Sequence, residues 1–64
     1  MELTEVQKHL ISGLQIFGVE KDAIVGIMLA LPNEEQQIEM LEWMRNHMGA
    51  STSEILGKTA ELAK

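Results

Sequence analysis

An uninterrupted apolar run, Ala23 to Leu31, dominates the hydrophobic pattern of this chain. Its nine residues are too few to cross a bilayer, since a membrane-spanning helix needs roughly 20 apolar residues. A helix that is apolar on every side must instead be buried on every side. Gly26, in its interior, costs about 1 kcal/mol relative to alanine and would allow close approach of another helix. The run therefore predicts a central helix that is covered by other helices or by a second molecule.

Capping residues divide the chain into four predicted helices. Thr4, Asn33 and Ser51 each have a Gln or Glu three residues later, which is the pattern of a capping box. Gly18 can end the first helix in the left-handed conformation, and Pro32 disfavours helical geometry at the residue before it. The predicted helices cover residues 4–17, 20–31, 33–48 and 51–63. The fold class is therefore predicted to be all-α, a compact bundle of four short helices with very short linkers.

The third predicted helix has an unusually broad apolar surface. Its apolar residues occupy more than half of the circumference: Ile38, Met40, Leu41, Trp43, Met44 and Met48. A surface helix needs less than that to cover one core. Met40, Met44 and Met48 form a row at four-residue spacing, and methionine serves both as core filler and on surfaces that adapt to partners. Both interpretations of the row stay open.

Chain length indicates how this apolar surface is covered. With 64 residues, the chain is predicted to form a single helical domain, 1–64, and domains of this size bury only about 60 % of their unfolded surface. Disulfides, metals or oligomerisation commonly supplement such cores, and the chain has no cysteine. We therefore expect a homodimer packed through helices two and three, or contact with another protein. The expected interface residues, which the sequence does not divide between core and interface, are Ile24, Ile27, Met28, Leu31, Met40, Trp43 and Met44.

The charge balance disfavours two classes of partner. Ten acidic and five basic residues give a formal net charge of −5. Nucleic-acid binding depends on Lys and Arg side chains that neutralise phosphates, so no nucleic-acid partner is expected. Docking on an anionic membrane surface is disfavoured for the same reason. The N-terminal sequence lacks the features of a secretory signal, and a cytoplasmic protein is expected.

The polar residues show no catalytic or cofactor-binding pattern. His9 and His47 have no second ligand at the spacing of a helical metal site. Three glutamates share one face of the third helix, opposite its apolar arc, where solvation is expected: Glu35, Glu39 and Glu42. Glu42 is also spaced to pair with Arg45. Because motifs for calcium, phosphate and dinucleotide binding are missing too, we expect no enzyme activity, no metal site and no cofactor.

Part of the chain resembles the three-helix ubiquitin-associated domain. Phe17-Gly18-Val19 is similar to its loop after helix one, Asp22-Ala23-Ile24 to the start of its second helix, and Ile38 to Met44 to its apolar third helix. That family binds ubiquitin through the loop and the third helix. The phenylalanine here precedes the glycine rather than following it. The resemblance implies a monomeric adaptor as the alternative to a homodimer, with these contact residues: Phe17, Gly18, Val19, Leu41 and Met44.

Two further resemblances concern other classes. Leu14 to Ile27 resembles a helix-turn-helix pattern, which implies a nucleic-acid-binding regulator as a second alternative. The outward positions of its second helix lack the Arg, Asn and Gln donors used for base readout, since they are Glu20, Lys21, Asp22, Val25 and Gly26. The whole chain is similar to short bacterial all-helical proteins of uncharacterised role, through its apolar second helix and Leu41-Glu42-Trp43-Met44. That last resemblance implies only an all-α fold and this class of small helical protein, and it implies no activity.

Overall fold

The computed structural model describes residues 3–64, and they form four helices without a strand. The helices are α1 (Glu5–Ile16), α2 (Lys21–Ala30), α3 (Glu34–Arg45) and α4 (Thr52–Leu62). The predicted fold class, an all-α bundle of four short helices, is confirmed. The observed helices are shorter than the predicted ranges chiefly because those ranges included the capping residues.

Capping boxes begin α1, α3 and α4 as predicted, and at α3 the Asn33 N–H donates to Gln36 Oε1 at 3.2 Å. The Thr4 hydroxyl accepts a hydrogen bond from the Gln7 backbone N–H at 3.1 Å, and Gln7 Oε1 accepts one from the Thr4 N–H at 2.8 Å. Ser51 and Glu54 make the same reciprocal pair, with both distances 3.2 Å. These bonds satisfy backbone donors that have no partner within a helix.

The turn from α1 to α2 depends on the left-handed backbone of Gly18, which has φ of +83°. The Gly18 N–H donates to the Gln15 carbonyl at 3.0 Å, and the Val19 N–H donates to the Leu14 carbonyl at 3.0 Å. This is the Schellman arrangement, which satisfies the last carbonyls of a helix. It turns the chain so that Val19 enters the core.

The third helix ends at Arg45 rather than at Met48, which corrects the predicted boundary. The Trp43 carbonyl accepts hydrogen bonds from the Asn46 N–H at 3.1 Å and from His47 Nδ1 at 2.7 Å. The His47 N–H donates to the Met44 carbonyl, three residues earlier, at 3.1 Å rather than to the Trp43 carbonyl, four residues earlier. The chain tightens there, and Met48 leaves the row that Met40 and Met44 share.

The helices pack in a ring in which α1 contacts α2 and α3, and α4 contacts the same two helices. Among residues 3–64, α2 and α3 therefore lie diagonally across the bundle rather than side by side. The core between them consists of Leu10, Leu14, Val19, Ile24, Ile27, Leu31, Met40, Met44 and Ile55. Helices two and three consequently do not form one continuous outer surface.

The apolar run is buried on one side only, although the sequence predicted burial on every side. Ile24, Ile27 and Leu31 face the core. Val25 and Leu29 are 51 % and 77 % exposed, and Gly26 between them has no atom of another segment within 4 Å of the position a Cβ would take. No helix of the same chain covers this face, because the ring places a neighbour only on the inner side of α2.

Candidate functional site

Titratable side chains do not assemble into a metal centre in the part of the chain that the structure describes. No group of three or more His, Cys, Asp or Glu side chains could hold a metal ion among residues 3–64. Over the same residues, no helix is long and apolar enough to cross a membrane.

A groove of about 440 Å³ lies between α1 and the C-terminal half of α3, and we call it the α1–α3 groove. It is lined by His9, Gly13, Ile16, Phe17, Leu41, Met44, Arg45 and Met48. Met44 is buried and supplies the floor. A Cβ at Gly13 would lie 3.0 Å from the Met44 methyl carbon, so the glycine gives that methyl the room it occupies. The floor thus depends on a close approach of α1 and α3.

Two bulky apolar side chains stand at the edge of the α1–α3 groove. Ile16 is 78 % exposed and Met48 is 67 % exposed, whereas Phe17 and Leu41 inside the groove are half-buried. Met48 holds this position because α3 ends three residues before it. A single exposed apolar side chain is ordinary, but these two line the same apolar groove, which makes the groove a candidate interaction surface.

The polar side chains that line the groove are His9 and Arg45, and no acidic residue lines it, although the chain has ten Asp and Glu residues against five Lys and Arg. Within residues 3–64 the ion pairs are Lys8–Glu5 at 3.8 Å and Lys58–Glu61 at 3.4 Å. The expected pair between Glu42 and Arg45 is not formed. The Arg45 guanidinium is therefore available to a carboxylate from outside the described chain.

Five of the seven residues expected at an interface belong to the core of a single chain. They are Ile24, Ile27, Leu31, Met40 and Met44. Their side chains are enclosed by the helices of their own chain, and a role for them at an interface stays a prediction. Of these five, Met44 lines the α1–α3 groove and Ile24 lines a depression between α1 and α2.

Met28 and Trp43, the other two expected interface residues, are half-buried and pack against the core. The Trp43 ring stacks on the His47 imidazole, with ring centroids 4.5 Å apart and planes inclined by 16°. One face of the indole is thereby covered from within the chain. Trp43 is also absent from the lining of the α1–α3 groove, so the structure does not bring it together with Met48.

The residues implied by the ubiquitin-associated resemblance separate into two sets. Phe17, Leu41 and Met44 meet in the α1–α3 groove. Val19 is buried in the core, and Gly18 is exposed in the turn. Three of the five implied positions therefore share one surface, to which the turn after α1 contributes Phe17 and α3 contributes Leu41 and Met44.

Sequence reasoning missed Gly13, Ile16 and Arg45 as parts of a site. Ile16 lies off the apolar stripe of α1, and that displacement was the available signal that it faces away from the core. Gly13 and Arg45 have no comparable signal, because their role depends on which helix packs against α1. Helix adjacency is a property of the tertiary fold.

A second depression, between α1 and α2, has a similar volume of about 480 Å³. It is lined by Ile11, Gln15, Val19, Lys21, Ile24 and Val25. Val25 is its one bulky apolar residue classed as exposed, and it is less exposed than Ile16 or Met48. The α1–α3 groove therefore offers more uncovered apolar surface to a partner.

Comparison with known protein families, with characterised proteins and with solved structures finds no significant match to this chain. Membership of a family consequently remains a prediction, and function must be argued from the surface itself.

Proposed function

We propose that this protein acts without catalysis, through protein–protein contact, by docking an apolar segment of a different protein in the α1–α3 groove. The main support is the combination of Ile16 and Met48 at the edge with the buried Met44 at the floor. A partner that covers the two exposed side chains removes apolar surface from water, which stabilises the complex by roughly 25 cal/mol per Å² of apolar area.

The shape of the groove favours a protein over a small molecule as its occupant. Small-molecule sites usually enclose 70–90 % or more of their ligand's surface. Ile16 and Met48 project into solvent instead of closing over the groove. Only a partner broader than the groove can cover both of them, and a protein surface has that breadth.

A homodimer is the second candidate, supported by the open outer face of α2. Val25 and Leu29 are exposed there on either side of Gly26, whose surroundings leave space for a second helix. In this form the interface involves α2 of both copies rather than helices two and three together. We rank the homodimer below the groove, which combines exposed apolar side chains at its edge with a buried floor at Met44.

Sedimentation equilibrium at micromolar concentration separates the two candidates. The groove proposal gives a mass near 7.2 kDa, whereas the homodimer gives twice that value. Ile16→Gln and Leu29→Gln are matched variants, because their parent side chains are 78 % and 77 % exposed and neither substitution changes the charge. A dimer that Leu29→Gln dissociates and Ile16→Gln leaves intact would replace the groove proposal with the α2 homodimer.

Binding of a hydrophobic dye tests the groove directly in the isolated monomer. Dye fluorescence is expected to rise with the wild-type protein and to fall clearly with Ile16→Gln, since that side chain borders the groove. Leu29→Gln is the control and should retain the signal. Equal signals from all three proteins would contradict an accessible binding surface in the α1–α3 groove.

A further inference from the structure

We infer that the occupant of the α1–α3 groove is an amphipathic helix of another protein, with carboxylates along the border of its apolar face. This inference rests on the proposed function and specifies the conformation and the charge of the partner. The supporting observations are the helical walls of the groove and the basic groups His9 and Arg45 in its lining.

The walls of the groove favour a helical partner over an extended one. Most of the lining residues belong to α1 and α3, whose backbone N–H and C=O groups are bonded within their own helices. An extended segment laid between these walls would find few backbone partners for its own polar groups, and unpaired buried groups are costly. A helix satisfies its backbone internally and presents only side chains. Docking of an amphipathic helix into an apolar groove is an established mode of recognition.

The length of the groove sets the number of anchoring residues. On the α1 side its lining extends from His9 to Phe17, a rise of about 12 Å at the helical spacing of 1.5 Å per residue. About two turns of a partner helix match that distance. Bulky apolar side chains at positions i, i+4 and i+7 of such a helix would lie along one face and reach the floor at Met44.

The charge of the lining favours carboxylates beside those anchors. His9 and Arg45 are the polar side chains of the lining, and no acidic residue contributes to it. Arg45 forms no ion pair within residues 3–64. At physiological salt, charges more than about 8 Å apart are largely screened, so a docked helix senses mainly the charged groups close to the groove. Arg45 lines the groove, whereas Glu42, three residues before it, does not.

Two synthetic peptides of about 18 residues, a length at which an isolated helix forms measurably, test this inference. Both place leucines at i, i+4 and i+7, and the flanking residues are glutamates in one peptide and lysines in the other. Amide chemical shifts of the groove residues in the ¹⁵N-labelled protein report the dissociation constants at physiological salt. We expect the glutamate peptide to bind at least roughly fivefold more tightly. The net negative charge of the protein favours the lysine peptide. Tighter binding of the glutamate peptide would therefore have to come from residues that line the groove.

Charge reversal at the groove provides the decisive comparison. Arg45→Glu is expected to abolish or reverse the preference between the two peptides. Lys21→Glu makes the same change in net charge at an exposed residue outside the groove and should leave the preference intact. An unchanged preference in Arg45→Glu would overturn the charge assignment. A third peptide, with a central proline that breaks its helix, should lose binding, and its retention would overturn the helical assignment.

Failure of the inference is distinguishable from failure of the proposed function. If neither peptide shifts the groove amides while Ile16→Gln still lowers dye binding, the groove is accessible but its occupant is not an acidic amphipathic helix. If dye binding is also insensitive to Ile16→Gln, the docking function itself is contradicted. A concentration-dependent rise in mass that Ile16→Gln abolishes would identify a second copy of this chain as the occupant.

Discussion

The side-chain amide of Gln37 donates a hydrogen bond of 2.8 Å to the backbone carbonyl of Leu31. Both residues are buried, and Leu31 is the C-terminal cap of α2, where the helix provides no partner for its carbonyl. The bond therefore satisfies a buried acceptor in the linker and joins α3 to the end of α2. It explains why a glutamine occupies a position on the inner side of α3.

Replacing Gln37 with methionine removes this bond while keeping a side chain of similar length. We expect the free energy of unfolding to fall by about 1–3 kcal/mol, because the Leu31 carbonyl is left buried without a partner. Urea denaturation measures the change. Gln15→Met, at an exposed position of α1, is the control and should change stability by less than about 0.5 kcal/mol. If Gln37→Met changed the free energy of unfolding as little as Gln15→Met, a water molecule would have to replace the amide as the donor to the Leu31 carbonyl.

Gly18→Ala tests the turn between α1 and α2. At φ of +83° an L-residue is strained by roughly 1–2 kcal/mol, and we expect a loss of stability of that size. No atom lies within 4 Å of the added Cβ, so the loss would reflect backbone conformation rather than a clash. Thermal or urea denaturation monitors the loss, and an unchanged midpoint would contradict the left-handed turn.

Gly26→Ala should have the opposite effect. The residue lies inside α2 with open space around its Cβ position, so alanine is expected to add about 1 kcal/mol through its higher helix propensity. Gly57→Ala, in an equally open position inside α4, is the matched comparison and should stabilise the protein by a similar amount. A destabilised Gly26→Ala, with Gly57→Ala behaving as expected, would indicate a second helix packed on α2 and would support the homodimer.

Gly13→Ala probes the floor of the α1–α3 groove. The added Cβ would lie 3.0 Å from the Met44 methyl, which must move by a few tenths of an ångström. We therefore expect a smaller stability gain than for Gly26→Ala, together with weaker dye binding, because the displaced methyl alters the groove. A gain equal to that of Gly26→Ala with unchanged dye binding would contradict the close approach of α1 and α3.

Helix starts were predictable because capping is a local property of the sequence. Thr4 and Ser51 form their reciprocal bonds with residues three positions away, and Gly18 ends α1 through bonds within one turn. The end of α3 was not predictable in the same way. There the His47 N–H bonds to the carbonyl three residues earlier instead of four, and no helix-ending glycine before Gly49 marks this change in the sequence.

The candidate site was only partly predictable because it depends on which helices are neighbours. The apolar arc of α3 indicated an interface, but packing against α1 and α4 buries Met40 and Met44 and leaves the patch at Ile16 and Met48. Similarly, the apolar sequence of α2 does not show which face of the helix is left uncovered by the neighbouring helices. Leu29 faces outward for that reason alone.

Mapping amide shift changes in the ¹⁵N-labelled protein on addition of the glutamate-bordered peptide tests the central claim most directly. The account predicts saturable shifts concentrated at Gly13, Ile16, Phe17, Leu41 and Met48, and a weaker affinity in Ile16→Gln but not in Leu29→Gln. Shifts centred on Val25 and Leu29, or affinity equally reduced by both substitutions, would contradict docking in the α1–α3 groove.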